Sequence, residues 1–253
     1  MSKIQLYQGD CLEIMQQLIN QQIKVDAIIT DPPYGTTACK WDSIIPFESM
    51  WNCINSLSKD TTPIILFGQE PFSSKLRLSN INNYKYDWIW IKNKPSGFSN
   101  AKYKPMCNHE IISVFCKEMH TYNPIKEPRD LKERYINLTQ GFTRNGNYGS
   151  NTQKTKSENT PKQYDALRYP TTVKKFDVVP NNKGSRLHPT QKPIELMEYL
   201  IKTYSNEGDT ILDFTMGSGT TGVACQSLNR NFIGIELDPT YYEISCKRLH
   251  YTM

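Results

Sequence analysis

Apolar positions change their spacing along this 253-residue chain, and each change of period predicts an element. KIQLYQGD has the short apolar character of a strand and leads into a helix over Cys11 to Ile19. VDAIITDPPYG contains a buried strand, Ala27 to Ile29, that ends in a turn. Phe47, Met50, Trp51, Ile54 and Leu57 then recur at helical spacing. TPIILFGQ reads as a strand and Phe72 to Leu78 as a short helix. YKYDWIWIK and HEIISVFCK read as two further strands, expected as an antiparallel pair at a sheet edge. Much later, PIELMEYLIKTYSNEG places Met197, Leu200, Ile201 and Tyr204 on one helical face, with Pro193 suited to the first turn and Gly208 to the stop. Ile211 to Phe214 read as a strand, Thr220 to Leu228 as a helix, and Phe232 to Leu237 as a strand carrying the acid Glu236 near its end. Strands alternating with helices predict an α/β domain with a mainly parallel sheet.

Composition changes this picture little, because 38% apolar and 22% charged residues describe an ordinary folded chain long enough for a proper core. No apolar run approaches the ~18 to 20 residues that span a bilayer. MSKIQLYQGD lacks the basic-then-apolar character of a secretory signal, so a cytoplasmic protein with no membrane partner is expected. The seven cysteines, Cys11, Cys39, Cys53, Cys107, Cys116, Cys225 and Cys246, are scattered with no C-x-x-C pair, which suggests neither a zinc site nor a disulfide framework.

The net charge of +5 becomes informative once located. Residues 120–187 carry 13 Lys and Arg against 6 Asp and Glu, while the rest of the chain is slightly acidic. The segment is poor in aliphatics and interleaved with aromatic residues, so it reads as an insertion between two better-packed halves, 1–119 and 188–253. Such composition suits a solvated loop, and equally suits phosphate contacts and base stacking. Arg144, Lys154 and Lys156 are its candidate nucleic-acid contacts. A second lysine-rich stretch, KNKPSGFSNAKYK, offers Lys94, Phe98 and Lys102 beside Lys92 and Lys104 and contains no acid; Phe98 suits either stacking on a base or packing beneath the loop.

Candidate chemistry lies at the ends of two predicted strands. In IITDPPYG the strand delivers Asp31 to its C-terminal edge, where ligands bind in open α/β sheets. Pro32 and Pro33 fix φ and carry no N–H, making a stiff turn in which Asp31 and the Pro32 carbonyl form a rigid pair of acceptors beside the ring of Tyr34. Such a site fits a planar group bearing an NH2, and two acceptors drawing on its hydrogens make the nitrogen more nucleophilic. Asp and Pro are also ordinary turn residues, so the tetrapeptide alone leaves a plain turn open. The second turn, in LDFTMGSGTTG, places Gly217, Gly219 and Gly222 in the G-x-G-x-x-G spacing of an adenosine-cofactor site, with Glu236 ending the next strand. Only 36 residues follow Gly217, whereas a dinucleotide fold opens with this turn.

Taken in order, GDCLEIM, TDPPYG, WIWIKNKPSGF with HEIISVF, RYPTTVKKF, HPTQKP and LDFTMGSGTTGVA with GIELD make the chain resemble the S-adenosylmethionine-dependent DNA amino-methyltransferases. The similarity extends over nearly the whole chain, in the β-class order with the catalytic motif before a basic insert and the cofactor motif after it. It implies a doubly wound, mainly parallel seven-stranded methyltransferase sheet, circularly permuted so that the two turns lie on neighbouring strands, with 120–187 as an inserted target-recognition segment. S-adenosylmethionine shares adenosine with NAD, so the glycine fingerprint cannot separate them, but an amine-gripping turn has no use in hydride transfer. By the resemblance, Asp31, Pro32, Pro33 and Tyr34 are catalytic. Asp213, Phe214, Gly217, Gly219 and Thr220 line the cofactor with Leu237; Glu236 accepts from the ribose; Asp10 binds the adenine amino group with Cys11 contributing backbone; His188 and Lys192 anchor the cofactor carboxylate.

DPPY points to adenine N6 in a flipped base of duplex DNA, and the absence of a Pro-Cys dipeptide argues against cytosine C5 chemistry. A cytosine-N4 enzyme, which more often carries Ser in place of Asp31, stays open as the alternative, and a protein-glutamine methyltransferase or a non-catalytic DNA-binding module fits less well. A homodimer and a cognate restriction endonuclease are the further partners the resemblance raises.

Overall fold

A computed structural model of the chain describes residues 2–36, 42–128, 167–181 and 186–251. The chain divides into a larger unit, Met1–Asn123 with Thr171–Met253, and a smaller one, Pro124–Pro170. In chain order the strands are β1 (Ile4–Gln8), β2 (Ala27–Thr30), β3 (Ile64–Gly68), β4 (Tyr84–Ser96), β5 (Cys107–Phe115), β6 (Glu127–Pro128), β7 (Leu167–Arg168), β8 (Val173–Lys175), β9 (Thr210–Asp213) and β10 (Asn231–Glu236). The helices are α1 (Cys11–Asn20), α2 (Phe47–Leu57), α3 (Phe72–Ser79), α4 (Ile194–Tyr204), α5 (Thr220–Ser227) and α6 (Pro239–Arg248). In the smaller unit, β6 and β7 form an antiparallel ladder.

The larger unit is built on an eight-stranded sheet in the order β1-β10-β9-β2-β3-β5-β4-β8. From β1 to β3 all neighbours are parallel, and β5 runs antiparallel to both β3 and β4. The C-terminal strands β9 and β10 therefore lie between β1 and β2, which is the permuted arrangement expected. The seven expected strands are present. The eighth is the three-residue β8, paired parallel to β4, so residues after 170 return to the main sheet instead of staying with the basic segment.

The central strands carry apolar residues on both faces because both faces are covered, with polar residues confined to their ends. Ala27 and Ile29 of β2 join Ile65 and Phe67 of β3 in a core with Leu196, Met197, Leu200 and Ile201 of α4, Ala224 of α5 and Cys246 of α6. Ile28, Ile64, Leu66 and Leu212 face the other way, against Met15 and Leu18 of α1, Met50 and Ile54 of α2 and Leu76 of α3. Each such fully buried aliphatic side chain contributes about 1.5–3 kcal/mol.

Two boundaries differ from expectation. α4 stops at Tyr204, before Gly208, because Ser205 is extended and its carbonyl accepts from the buried Arg230 guanidinium at 3.0 Å. Gly208, at φ +84°, serves the next turn. α6 lies beyond the elements the apolar spacing predicts, although its start carries a readable signal: Asp238 caps it by accepting from Thr240 N at 2.8 Å, and Pro239 follows.

Candidate active site

The two motif-bearing strands, β2 and β9, are adjacent and parallel, with Ala27 beside Ile211 and Ile28 beside Leu212. Their C-terminal ends are joined by hydroxyls. The Thr30 hydroxyl donates to Asp213 Oδ1 at 2.7 Å and lies 2.7 Å from Thr215 Oγ1, which in turn donates to the Asp31 carbonyl at 3.1 Å. Thr221 donates to the other Asp213 oxygen at 2.5 Å. Burial raises the Asp213 carboxyl to about 6 despite these donors. One cleft is lined by Asp31 to Tyr34 on one side and by Asp10, Cys11, His188, Lys192, Asp213, Phe214, Gly217, Thr220, Glu236 and Leu237 around the rest. Gly219 is outside that lining and is the residue preceding α5.

Asp31 is held at both oxygens. The Tyr34 hydroxyl donates to Oδ1 and the Lys192 ammonium to Oδ2. Lys192 also lies 3.3 Å from Glu110 Oε2, an ion pair without a well-aligned N–H, and Lys92 pairs with Glu110 Oε1. The same ammonium sits 5.0 Å from the centre of the Phe67 ring. The ion pairs with Asp31 and Glu110 outweigh burial and raise the Lys192 ammonium above its ordinary value. Burial pushes the Glu110 carboxyl up, but the two ammoniums pull harder and hold it below the usual carboxylate range. Burial raises Asp31, with Lys192 opposing it.

The resemblance places Lys192 at a cofactor carboxylate; in the structure it lines the cleft with its ammonium paired to Asp31 and Glu110. Lys92, from the lysine-rich stretch, is turned inward by its pairing with Glu110. Glu110 gave little warning in the sequence, since its partners are fixed by strand pairing: Trp90 stands opposite it, and Lys92 lies two residues further along β4.

The glycine turn follows β9. Gly217 and Gly219 adopt φ +54° and +77°, conformations costly for other residues. Gly222 has a different use, since a Cβ there would lie 2.7 Å from the Phe232 ring; its absence lets α5 press onto β10. Glu236 Oε2 accepts from Gly217 N and Oε1 from Asp238 N, both at 2.8 Å, and burial raises this carboxyl. Arg248 of α6, absent from the expected residues, braces the turn by donating to the Ser218 carbonyl at 2.6 Å.

Asp10 caps α1 through Oδ1, accepting from Leu12 N at 2.9 Å. Burial, then the charge of Asp10, pushes the Cys11 thiol up to about 12. His188 lies against Gly217 and meets the Tyr241 ring edge-on at 4.1 Å. Burial lowers its imidazole to about 4, and Lys192 adds to the effect. Leu237 is exposed at the rim.

Away from the cleft, Lys94 and Lys102 are exposed in and after the end of β4, and Phe98 is 85% exposed, so packing beneath the loop is ruled out for this ring. Arg144, Lys154 and Lys156 lie outside the described residues. Among the described residues no helix is long and apolar enough to cross a membrane.

The chain is similar to known proteins along nearly its whole length. The N6/N4 DNA methylase family model matches residues 25–247. The Type II methyltransferase M.HpaI of Haemophilus parainfluenzae is 31% identical, over 94% of this chain and 73% of that one. The Type II methyltransferase M1.MboII of Moraxella bovis is 28% identical, over 93% of this chain and 92% of that one. Among solved structures, the M1.HpyAVI–SAM complex superposes with a TM-score of 0.64 at 28% identity, covering 97% of this chain and 98% of that one.

Proposed function

The chain belongs to the N6/N4 DNA methylase family, and from that premise we propose that it transfers a methyl group from S-adenosylmethionine to N6 of a flipped adenine in duplex DNA, with Asp31 gripping the amino group. The observation that carries this reading is the seam between β2 and β9: it brings the DPPY turn and the glycine turn, 183 residues apart at Thr30 and Asp213, onto one cleft.

The residues present fit an adenosine-containing donor. Each Glu236 oxygen accepts one backbone N–H, which leaves lone pairs for two ribose hydroxyls. Asp10 stands one strand over, since Gln8 at the end of β1 pairs with Glu236, and uses one oxygen as a helix cap. Gly217 lets the backbone approach the ligand, while Gly219 makes room for Ser245 of α6. When bound, S-adenosylmethionine supplies an electrophilic methyl group.

The protein's own part is positioning and electrostatics. Asp31 and the Pro32 carbonyl accept the hydrogens of the amino group, and the carboxylate stabilises the positive charge that develops as the nitrogen lone pair forms its new bond. The methylated nitrogen is acidic and releases its proton. Tyr34 offers a ring face to the base while its hydroxyl fixes Asp31. Because the target atom is inside a duplex, the base leaves the stack.

Lys94, Lys102 and Phe98 are assigned to DNA, as are Arg144, Lys154 and Lys156 of the basic segment. Adenine is favoured over cytosine N4 by the aspartate of the DPPY turn. The Type II names of the relatives support a cognate restriction endonuclease as a partner system, and sedimentation of the free protein tests the homodimer. Labelled methyl transfer to duplexes with and without adenine, followed by nucleoside analysis, tests the substrate: N6-methyladenine is expected, and N4-methylcytosine would overturn the adenine assignment.

A further inference from the structure

Glu110 has no part in the mechanism above, yet it is one of the few buried charges among the described residues, at 9% exposure. Its carboxylate stands between the ammoniums of Lys92 and Lys192, and Lys192 in turn holds Asp31. Buried ion pairs contribute little to folding, because desolvation offsets their attraction. The use of this one is therefore sought in the site.

The formal charges of Asp31, Glu110, Lys92 and Lys192 cancel. Without Glu110, Lys92 and Lys192 together would outweigh Asp31 and oppose a reaction whose nitrogen becomes positive, since uncompensated positive charge in a poorly solvated site repels developing charge strongly. Glu110 supplies the missing negative charge without touching the reacting atoms. It also gives the Lys192 side chain a second anchor, so that its position against Asp31 is defined from two directions, while Tyr34 defines the other Asp31 oxygen.

Resting on the assignment of Asp31 to methyl transfer, we propose that Glu110 is a positioning residue for that reaction: it fixes the Lys192 ammonium against Asp31 and cancels the ammonium's field at the attacking nitrogen. The effect falls on turnover, because charge develops only in the transition state. Cofactor affinity and ground-state DNA binding are left nearly unchanged.

The test compares Glu110→Gln, Glu110→Asp and the double variant Lys92→Gln/Glu110→Gln with Asp31→Ala as the control. Single-turnover methylation of duplex DNA, S-adenosylmethionine calorimetry and thermal melting are measured on the full chain. Glu110→Gln is expected to lower the turnover rate by ~10-fold or more, with KM for DNA and cofactor affinity within about threefold of the parent. Glu110→Asp recovers much of that loss by restoring the charge. The double variant, neutral again, turns over faster than Glu110→Gln.

Parent-like turnover by Glu110→Gln, with Asp31→Ala inactive, overturns this inference and leaves the assignment of Asp31 standing. An active Asp31→Ala overturns the assignment itself. A double variant no faster than Glu110→Gln shows that charge balance is not what Glu110 supplies. If Glu110→Gln does not fold, the double variant decides alone: turnover within ~10-fold of the parent supports the proposal, and loss of turnover with cofactor bound and melting unchanged overturns it.

Discussion

Thr30 and Asp213, 183 residues apart in sequence, meet at 2.7 Å, hydroxyl to carboxylate, between the ends of two adjacent strands. The same hydroxyl is 2.7 Å from Thr215, whose own donor reaches the Asp31 carbonyl. Thr30→Val keeps the shape and removes this junction. A buried hydrogen bond to a charged group is worth about 1.5–3 kcal/mol, so urea unfolding should show a loss in that range. Single-turnover methylation should slow as well, because the Thr215 hydroxyl that holds the Asp31 carbonyl loses its own partner.

Among the cleft groups with shifted titration, Asp213 and His188 shift with opposite sign. Asp213 is raised from 3.8 to about 6, so the stability it contributes is present in acid and lost as pH rises through about 6. His188 is lowered from 6.5 to about 4, so its contribution is present at neutral pH and lost as pH falls toward about 4. In the parent the two slopes offset each other. Asp213→Asn should expose the His188 slope, with stability rising from pH 4 to 6.5, and His188→Gln should expose the reverse; denaturant midpoints across that window check both.

Glu236→Gln keeps size and removes the charge that accepts from Gly217 N and Asp238 N. Weakening a hydrogen bond to a charged group at the ribose site should lower S-adenosylmethionine affinity roughly tenfold or more, read by calorimetry. NAD should not bind the parent protein at all.

Asp31→Ala should be nearly inactive and Asp31→Asn strongly slowed, with cofactor affinity within a few-fold in both. For Tyr34 the structure changes the expectation. The ring face alone predicts a mild Tyr34→Phe variant, but its hydroxyl is bound to Asp31, so turnover should fall by up to about tenfold through the lost charge-assisted hydrogen bond. Tyr34→Ala should be worse, losing a stacking contact of about 1–3 kcal/mol as well.

Replacing Lys94 and Lys102 with Gln should flatten the salt dependence of DNA binding by about 0.9 per phosphate contact removed. Phe98→Ala should weaken DNA binding without changing the slope, since a stacking ring releases no counterions. Cofactor affinity should stay at the parent value in both. The triple replacement of Arg144, Lys154 and Lys156 is expected to behave like the lysine pair. An unchanged salt slope in either multiple variant would make its residues a solvated face.

What could be read from the chain was whatever depends on neighbours in sequence. Ile28 and Ile29, or Ile64 to Phe67, are apolar without alternation because both sheet faces are covered, and the turns after β2 and β9 declare themselves by Pro and Gly. The polar partners could not be read, because strand pairing chooses them. Lys92 looks like its exposed neighbours Lys94 and Lys102 until β5 sets Glu110 within its reach. Lys192 sits in a motif that suggests an anion, and the anion it meets is Asp31, 161 residues away. Arg248 was out of reach for a plainer reason: its helix has a thin apolar face, with Ser245 and Cys246 its buried residues.

The strand order also governs how the protein is made. β1 has β10 as its neighbour, and β2 has β9 on one side. When the first hundred residues leave the ribosome, neither of those partners has been synthesised, so β1 has no strand to join and β2 can add only β3. β10 must emerge before the sheet can close, and until then the nascent polypeptide carries bare apolar edges of the kind that chaperones cover and aggregates recruit.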